Sequence, residues 1–225
     1  MSVRLAVFDI AGTTVADDHA VANAFCKAFE SYGYDEVSEE DVKPLMGYNK
    51  PLAIRMVLEK LRIDWDMALI EDIHEEFVNE MMDYYEYSPD VKPMMQAENV
   101  FLLLKEKGIK VALNTGFSKN IADVIVHRLQ WKERGLIDDY IASDEVEEGR
   151  PKPFMIQALM QRAGIIDSKE VIKIGDTEVD VNEGRNAGCA LVVAVTTGAF
   201  TKQQLEEYHP DHIIDDLSQL PALIF

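Results

Sequence analysis

Six short apolar runs constrain the fold of this chain more than any other feature. They are Leu5–Phe8, Lys110–Asn114, Tyr140–Ala142, Val171–Ile174, Ala190–Val195 and His212–Ile214. Each is too short for a helix, and several are apolar at consecutive positions, as a strand buried on both faces requires. Helical stretches separate the last five runs. Strand–helix alternation of this kind predicts a parallel sheet with right-handed crossovers. The connection after the first run is different, because residues 17–87 read as helix almost throughout. Val21, Phe25, Ala28 and Phe29 recur at helical spacing and stop near Gly33. Ser38 and Asp41 have the spacing of a capping box. Met46-Gly47-Tyr48-Asn49 is a break, followed by a helix with Pro51 in its first turn and Ile54, Val57, Leu58 and Leu61 on one face. Met67–Tyr87 is a long amphipathic helix, and Pro89 and Pro93 mark a boundary. A further helix, Ala97–Lys107, leads into the second run. The chain therefore divides into an α/β core, residues 1–15 and 91–225, and an all-helical insert, residues 16–90.

Ligands of open parallel sheets bind beyond the carboxyl ends of the strands. The first run is followed by Asp9, Ala11, Gly12, Thr13 and Thr14, and the second by Thr115 and Gly116. Gly149-Arg150-Pro151-Lys152-Pro153 precedes the helix that starts near Phe154, and Gly175-Asp176-Thr177 follows Val171–Ile174, with Asp180 four residues beyond Asp176. Brought together, these residues suit a metal and a phosphate. Magnesium takes a few carboxylate oxygens, completed by water and substrate phosphate. Asp9 and Asp176 can supply the carboxylates, and Thr115 with the backbone N–H groups near Gly116 can hold phosphate oxygens at a helix N-terminus. Arg150 supplies fixed positive charge against a transferring phosphoryl group; Lys152, in the same loop, is its rival. Asp9 is then either a metal ligand alone or also a nucleophile that becomes an aspartyl-phosphate. Asp180 reads equally as an acid in the first turn of a helix, and Thr115 as a helix cap. His19, near the start of the insert, can face the site. His74 lacks a second histidine at zinc-binding spacing.

Charge narrows the partners. The 225 residues carry 41 acidic and 22 basic side chains, a net charge of −19. The insert accounts for −13 of this, with 19 acids against 6 bases. Such a surface repels a phosphate backbone and anionic lipid, which argues against nucleic-acid and membrane partners. No run approaches 18 apolar residues. The N-terminus reaches an acid too soon for a signal peptide, and Cys26 and Cys189 form no C-x-x-C pair. A cytoplasmic protein is expected, with a homodimer as the one assembly left open.

These motifs resemble the haloacid dehalogenase superfamily over essentially the whole chain. The matches are Asp9-Ile10-Ala11-Gly12-Thr13-Thr14, Thr115 after a strand, Arg150-Pro151, and Gly175-Asp176-Thr177 with Asp180, in that order. The resemblance implies a Rossmann-like α/β core with helices on both faces, a helical cap after the first strand, and a Mg2+-dependent hydrolase with Asp9 as nucleophile. It implies metal ligation by Asp9, the Ala11 carbonyl and Asp176, supported by Asp180. Members that cleave phosphate esters carry a second Asp two residues after the nucleophile, where this chain has Ala11. A methyl group cannot protonate a leaving alkoxide, and loss of a general acid/base removes ~10²–10⁴ in rate.

The phosphonatase branch also has Ala at that position, and this sequence resembles it further in Thr115-Gly116-Phe117, Gly149-Arg150-Pro151 and Glu183-Gly184-Arg185-Asn186-Ala187-Gly188. The branch binds its aldehyde substrate as a Schiff base on a cap lysine that follows a Met-Gly pair with two residues between. Met46-Gly47-Tyr48-Asn49-Lys50 fits, which makes Lys50 the amine. The ordinary reading of Lys50, beside Pro51 at a helix start, is a solvated lysine. The chain departs from the branch at Ala53, where a His is usual, and at Phe117, where a Tyr is. The expected substrate is a small phosphonate. The alternatives are a phosphatase of a small phosphorylated metabolite, like phosphoglycolate phosphatase, or a catalytically weak phosphate-binding member. A receiver-type phospho-acceptor is disfavoured by the insert, and a metal-free dehalogenase by Asp176 and Asp180.

Overall fold

In the computed structural model, which describes residues 2–225, all six apolar runs are strands of one parallel sheet. They are β1 (Leu5–Asp9), β2 (Lys110–Thr115), β3 (Asp139–Ala142), β4 (Val171–Gly175), β5 (Leu191–Val195) and β6 (His212–Ile214), in the order β3-β2-β1-β4-β5-β6. Strand ends fall within a residue or two of the sequence expectation. β1 is central, with Phe8 opposite Leu113 on one side and Ile174 on the other. The chain leaves β1 towards β2 and later returns to its other side at β4. The switch point between β1 and β4 is where a parallel sheet opens a crevice.

Helices cover both faces because alternate strand residues point to opposite sides. Ala6 and Phe8 pack with helix α5 (Ala97–Glu106) and Trp131, whereas Leu5 and Val7 pack with α7 (Phe154–Ala163). Phe8 meets Phe101 edge-on at 5.2 Å. Helix α6 (Lys119–Arg128) lies with the first group, and α8 (Glu178–Asn186) and α9 (Lys202–Glu206) with the second. A short α10 (Pro221–Ile224) ends the chain.

Between β1 and α5 the chain is helical: α1 (Ala20–Glu30), α2 (Glu39–Val42), a 3-10 turn at Lys43–Leu45, α3 (Lys50–Leu61) and α4 (Met67–Tyr87). The capping box expected at Ser38 is present. The Ser38 N–H donates to Asp41 in the capping box, at 3.1 Å, and Asp66 caps α4 by accepting the Leu69 N–H at 2.9 Å. The helices bury their apolar faces in a core continuous with that of the sheet, in which Phe25 of α1 meets Phe77 of α4 at 4.6 Å. None of the 19 acids of residues 16–90 is fully buried and most are exposed, with Asp17 half-buried at the linker, so most of the charge concentrated there is carried on solvated faces. Two strands of linker tie this group to the sheet: Ala16 N–H donates to Lys92 O at 3.1 Å and Met94 N–H to Thr14 O at 2.8 Å. Arg128 of α6 also donates to the carbonyls of Tyr85 and Ser88. Among the described residues no helix is long and apolar enough to cross a membrane.

Candidate active site

The crevice at the switch point is built from the ends of β1 and β4. After Asp9 the chain turns sharply through Gly12, at φ +81°, where a Cβ would lie 2.8 Å from Asp176 Oδ2 and 2.9 Å from Gly198 Cα. Only glycine fits such a turn and such an approach. The turn aims two hydroxyls. Thr14 Oγ1 donates to the Asp9 carbonyl at 2.8 Å, and Thr13 Oγ1 to Asp176 Oδ1 at 3.0 Å. Ala199 N–H donates to the other oxygen of Asp176 at 2.7 Å. Asp180 lies on the first turn of α8, where Thr177 Oγ1 donates to it at 2.6 Å in a capping box. The reading of Asp180 as an acid in the first turn of a helix is met, and the same side chain reaches Arg150. A single nitrogen of Arg150, Nη1, bridges Asp9 Oδ1 at 2.6 Å and Asp180 Oδ1 at 2.5 Å.

Four carboxylates, Asp9, Asp176, Asp180 and Glu183, are buried here with the cations Arg150, Lys173 and Lys50. Burial penalises each charged form, so the pairing decides which groups ionise. Burial works against charge on Asp180, but Lys173 and Arg150 outweigh it and hold the carboxyl at about 2. Burial also works against Arg150, yet Asp9, Asp180 and Glu183 hold it protonated above its ordinary value. Among the described residues Asp176 has no cation partner. Burial, then the Asp9 and Asp180 charges, raise its pKa well above the ordinary value. Ligand oxygens of Asp9, Asp176 and Asp180 lie within 4.8 Å of one another. Excess buried negative charge centred on an unpaired carboxylate fits a divalent cation and hard oxygen ligands. This acidic cluster could hold a metal ion.

The Met46–Lys50 segment closes over the crevice. Gly47 packs on Thr177 and Val179, and Tyr48 Oη donates to Glu178 at 2.6 Å. Asn49 caps α3 with one end of its amide and donates to Ser143 Oγ at 3.1 Å with the other. A Cβ at Gly116 would lie 2.5 Å from Tyr48 O and 2.6 Å from Gly47 O. Those are backbone atoms, so the loop would have to lift. Gly116→Ala is expected to cost docking about 1–3 kcal/mol, the usual penalty for overpacking. A lower kcat/KM and faster proteolysis of the loop would register it; unchanged values would mean the loop need not seat here.

This docking carries Lys50 inward. Its side chain is only 3% exposed, which overturns the reading of a solvated lysine at a helix start. The ammonium sits 5.3 Å from the Phe25 ring centroid, 5.7 Å from Phe77 and 5.2 Å from Phe117. Burial, then the Arg150 charge, lower its pKa to about 8 against the pull of Asp9, Asp17 and Asp176. The pocket that results, about 350 Å³ of empty space with its mouth, is lined by both Lys50 and Asp9.

Of the residues singled out from sequence, Asp9, Ala11, Met46, Lys50, Thr115, Gly116, Phe117, Arg150 and Asp176 all line this pocket. Asp180 stands behind it through Arg150. Lys152 is exposed and pairs with Glu148, so it is no rival to Arg150. His19 does not face the site: it takes a left-handed conformation before α1 and points outward to Glu39 at 3.0 Å. His74 is half-buried on α4, outside the pocket. Sequence reasoning missed the fully buried Lys173, which donates to Asn114 Oδ1 at 2.6 Å and pairs with Asp180 at 3.0 Å and Glu183 at 3.4 Å. A charged residue inside the run Val171–Gly175 was the signal, because a buried lysine needs partners. It also missed Asp17, which lines the pocket from the first linker.

Comparison with known proteins agrees with this geometry. Residues 6–194 match the family described as haloacid dehalogenase-like hydrolase. A phosphonoacetaldehyde hydrolase of Bacillus cereus (strain B4264) is 32% identical over 221 residues, covering 92% of this chain and 82% of that protein. One from Bacillus mycoides (strain KBAB4) is 30% identical over 230 residues, covering 93% and 83%. The crystal structure of a phosphonoacetaldehyde-hydrolase-like protein from Oleispira antarctica superposes with a TM-score of 0.88 over 100% of this chain and 92% of that one, at 22% identity. The six-stranded parallel sheet, the acid-rich crevice at its switch point and the match over 6–194 make this chain an enzyme of the haloacid dehalogenase-like hydrolase family, on its phosphonatase-like branch.

Proposed function

We propose that this enzyme cleaves the carbon–phosphorus bond of a small phosphonate aldehyde, phosphonoacetaldehyde in the first instance, giving acetaldehyde and phosphate. Residues 1–15 and 91–225 serve as the hydrolase core and residues 16–90 as its cap. The observation that carries the reading is the Lys50 amine, buried in one pocket with Asp9 and with its pKa lowered to about 8. A lysine so placed is a nucleophile near neutral pH.

In this mechanism Lys50 and the substrate aldehyde lose water to form an iminium. The Asp9 carboxylate then attacks phosphorus, the P–C bond breaks, and its electron pair moves into the iminium to give an enamine. Asp9 becomes an aspartyl-phosphate, which water hydrolyses. Protonation of the enamine carbon and hydrolysis of the imine release acetaldehyde and regenerate Lys50. Thr115, the amide of Gly116 and Arg150 hold the phosphoryl oxygens. Met46 and Phe117 wall the aldehyde end. A magnesium ion held by Asp9, the Ala11 carbonyl and Asp176, with Asp180 behind, would neutralise phosphoryl charge during transfer. The iminium is an electron sink, so the leaving carbon needs no acid at Ala11. An ester leaving group would need one, which disfavours the phosphatase reading.

Borohydride reduction of the enzyme with phosphonoacetaldehyde, followed by peptide mass mapping, tests the proposal. A reduced adduct on Lys50 is expected. No adduct, together with ready turnover of phosphate esters, overturns it in favour of a phosphatase.

A further inference from the structure

Imine formation and enamine protonation both need a group that takes up and returns a proton beside Lys50. Neither Ala11 nor Ala53, one turn beyond Lys50 on α3, can do this. Among the carboxylates lining the pocket, Asp9 and Asp176 belong to the phosphoryl and metal end. The remaining one is Asp17, in the linker between β1 and α1.

Asp17 is held in place without being neutralised. Its Oδ1 accepts the Val21 N–H in the first turn of α1, at 3.0 Å, and no side chain hydrogen-bonds to it. The cations whose charge reaches it are Lys50 and, from the solvent side, His19. Its burial raises its pKa, which brings a carboxyl closer to working as an acid as well as a base. On the α4 side, after burial, its charge contributes most to raising the pKa of Tyr84 and Tyr85. The Tyr85 hydroxyl is fully buried and unpartnered among the described residues.

We propose that Asp17 is the proton carrier between Lys50 and the substrate's carbon skeleton, an inference that rests on the Schiff-base reading of Lys50. The Asp17 carboxylate takes a proton from the Lys50 ammonium, and the neutral amine adds to the aldehyde carbon. The C=O pair moves to oxygen, and the amine passes it a second proton. The Asp17 carboxyl returns the first, and the oxygen leaves as water. Lys50 ammonium and aldehyde thus become iminium and water, with charge and atoms balanced. After the P–C bond breaks, Asp17, by then a carboxylate again, takes a proton from solvent water and delivers it to the enamine carbon.

One consequence is an activity that needs no phosphoryl group. With acetaldehyde in D2O, the Lys50 iminium should lose a methyl proton to Asp17 and regain deuterium. Asp17→Asn keeps an oxygen to cap α1, so the fold is preserved. The experiment follows deuterium in the methyl group of acetaldehyde, borohydride trapping, inhibition by inorganic phosphate and melting temperature, for the parent and Asp17→Asn. Expected are trapping and exchange in the parent, and exchange lower by ~10²-fold or more in the variant, with phosphate inhibition and melting temperature unchanged. Equal exchange and trapping in the variant overturn the role of Asp17 and leave Lys50 intact. Losses that track a lower melting temperature and weaker phosphate inhibition overturn it in favour of a structural role. A parent that traps no adduct overturns the Lys50 reading and this inference together.

Discussion

Asp9→Asn is expected to abolish phosphate release, by on the order of 10⁴-fold or more, because in the proposed mechanism it removes the nucleophile and not a helper of it. The fold should survive. Asparagine has the same shape, and its carbonyl oxygen can still accept from Arg150, which keeps Asp180 at 2.5 Å. The amide also removes one of the charges that raise the pKa of Asp176. Weaker metal binding should follow, since Asp9 is one of three carboxylates in the cluster. Phosphate release, calorimetric melting and Mn2+ titration measure the three effects. If the variant keeps more than about a hundredth of the parent rate, the nucleophile is another group. Borohydride trapping on Lys50 should persist in the variant, because the imine forms before phosphorus is attacked.

How far the sequence discloses this molecule depends on whether a feature is local. The strands are legible because a segment buried on both faces must be apolar at every position, and the acids of the crevice because they terminate such segments. The cap of α2 is legible because a cap is a contact three residues long. Lys50 is not legible in that way. Its environment is Phe25 from α1, Phe77 from α4 and Phe117 from the loop after β2, three rings that no local pattern relates. Spacing to Met46-Gly47 picks out the residue, but only the docking of Gly47 and Tyr48 on Gly116 buries it. His19 goes the other way: adjacent in sequence to the site linker, it is turned outward by one left-handed residue. Lys173 was open to view in the sequence, yet a run read for hydrophobicity hides its one charge. The acidity of the insert carries the same lesson. Its acids are all outside the core, whereas the buried acids that matter, Asp9, Asp176, Asp180 and Glu183, belong to the less acidic part of the chain.

Lys50→Met separates the chemistry of the buried amine from its packing. Methionine has a similar unbranched stem and a sulfur suited to aromatic neighbours, so it should fill the space between the three phenyl rings. Among the described residues the ammonium makes no hydrogen bond or ion pair and has only the three rings around it. Burial without a partner lowers its pKa from 10.5 to about 8. For a cation with a lowered folded pKa, the unfolded chain binds more protons between those two values, so stability gains from this group as pH rises from about 8 towards 10.5. Below about 8 the buried charge is a full penalty, which the methionine lacks. At pH 7 the variant should therefore melt no lower than the parent, and the rise in parent stability across pH 8 to 10 should shrink in it. Activity runs the other way. P–C cleavage should fall by on the order of 10⁴-fold or more, since no imine can form and the leaving carbon loses its electron sink. In the parent, the rate of adduct formation should climb with pH and level off near 8, as the amine loses its proton. A variant that melts as expected yet still releases phosphate from phosphonoacetaldehyde would show that the buried lysine is not the group that opens the carbon–phosphorus bond.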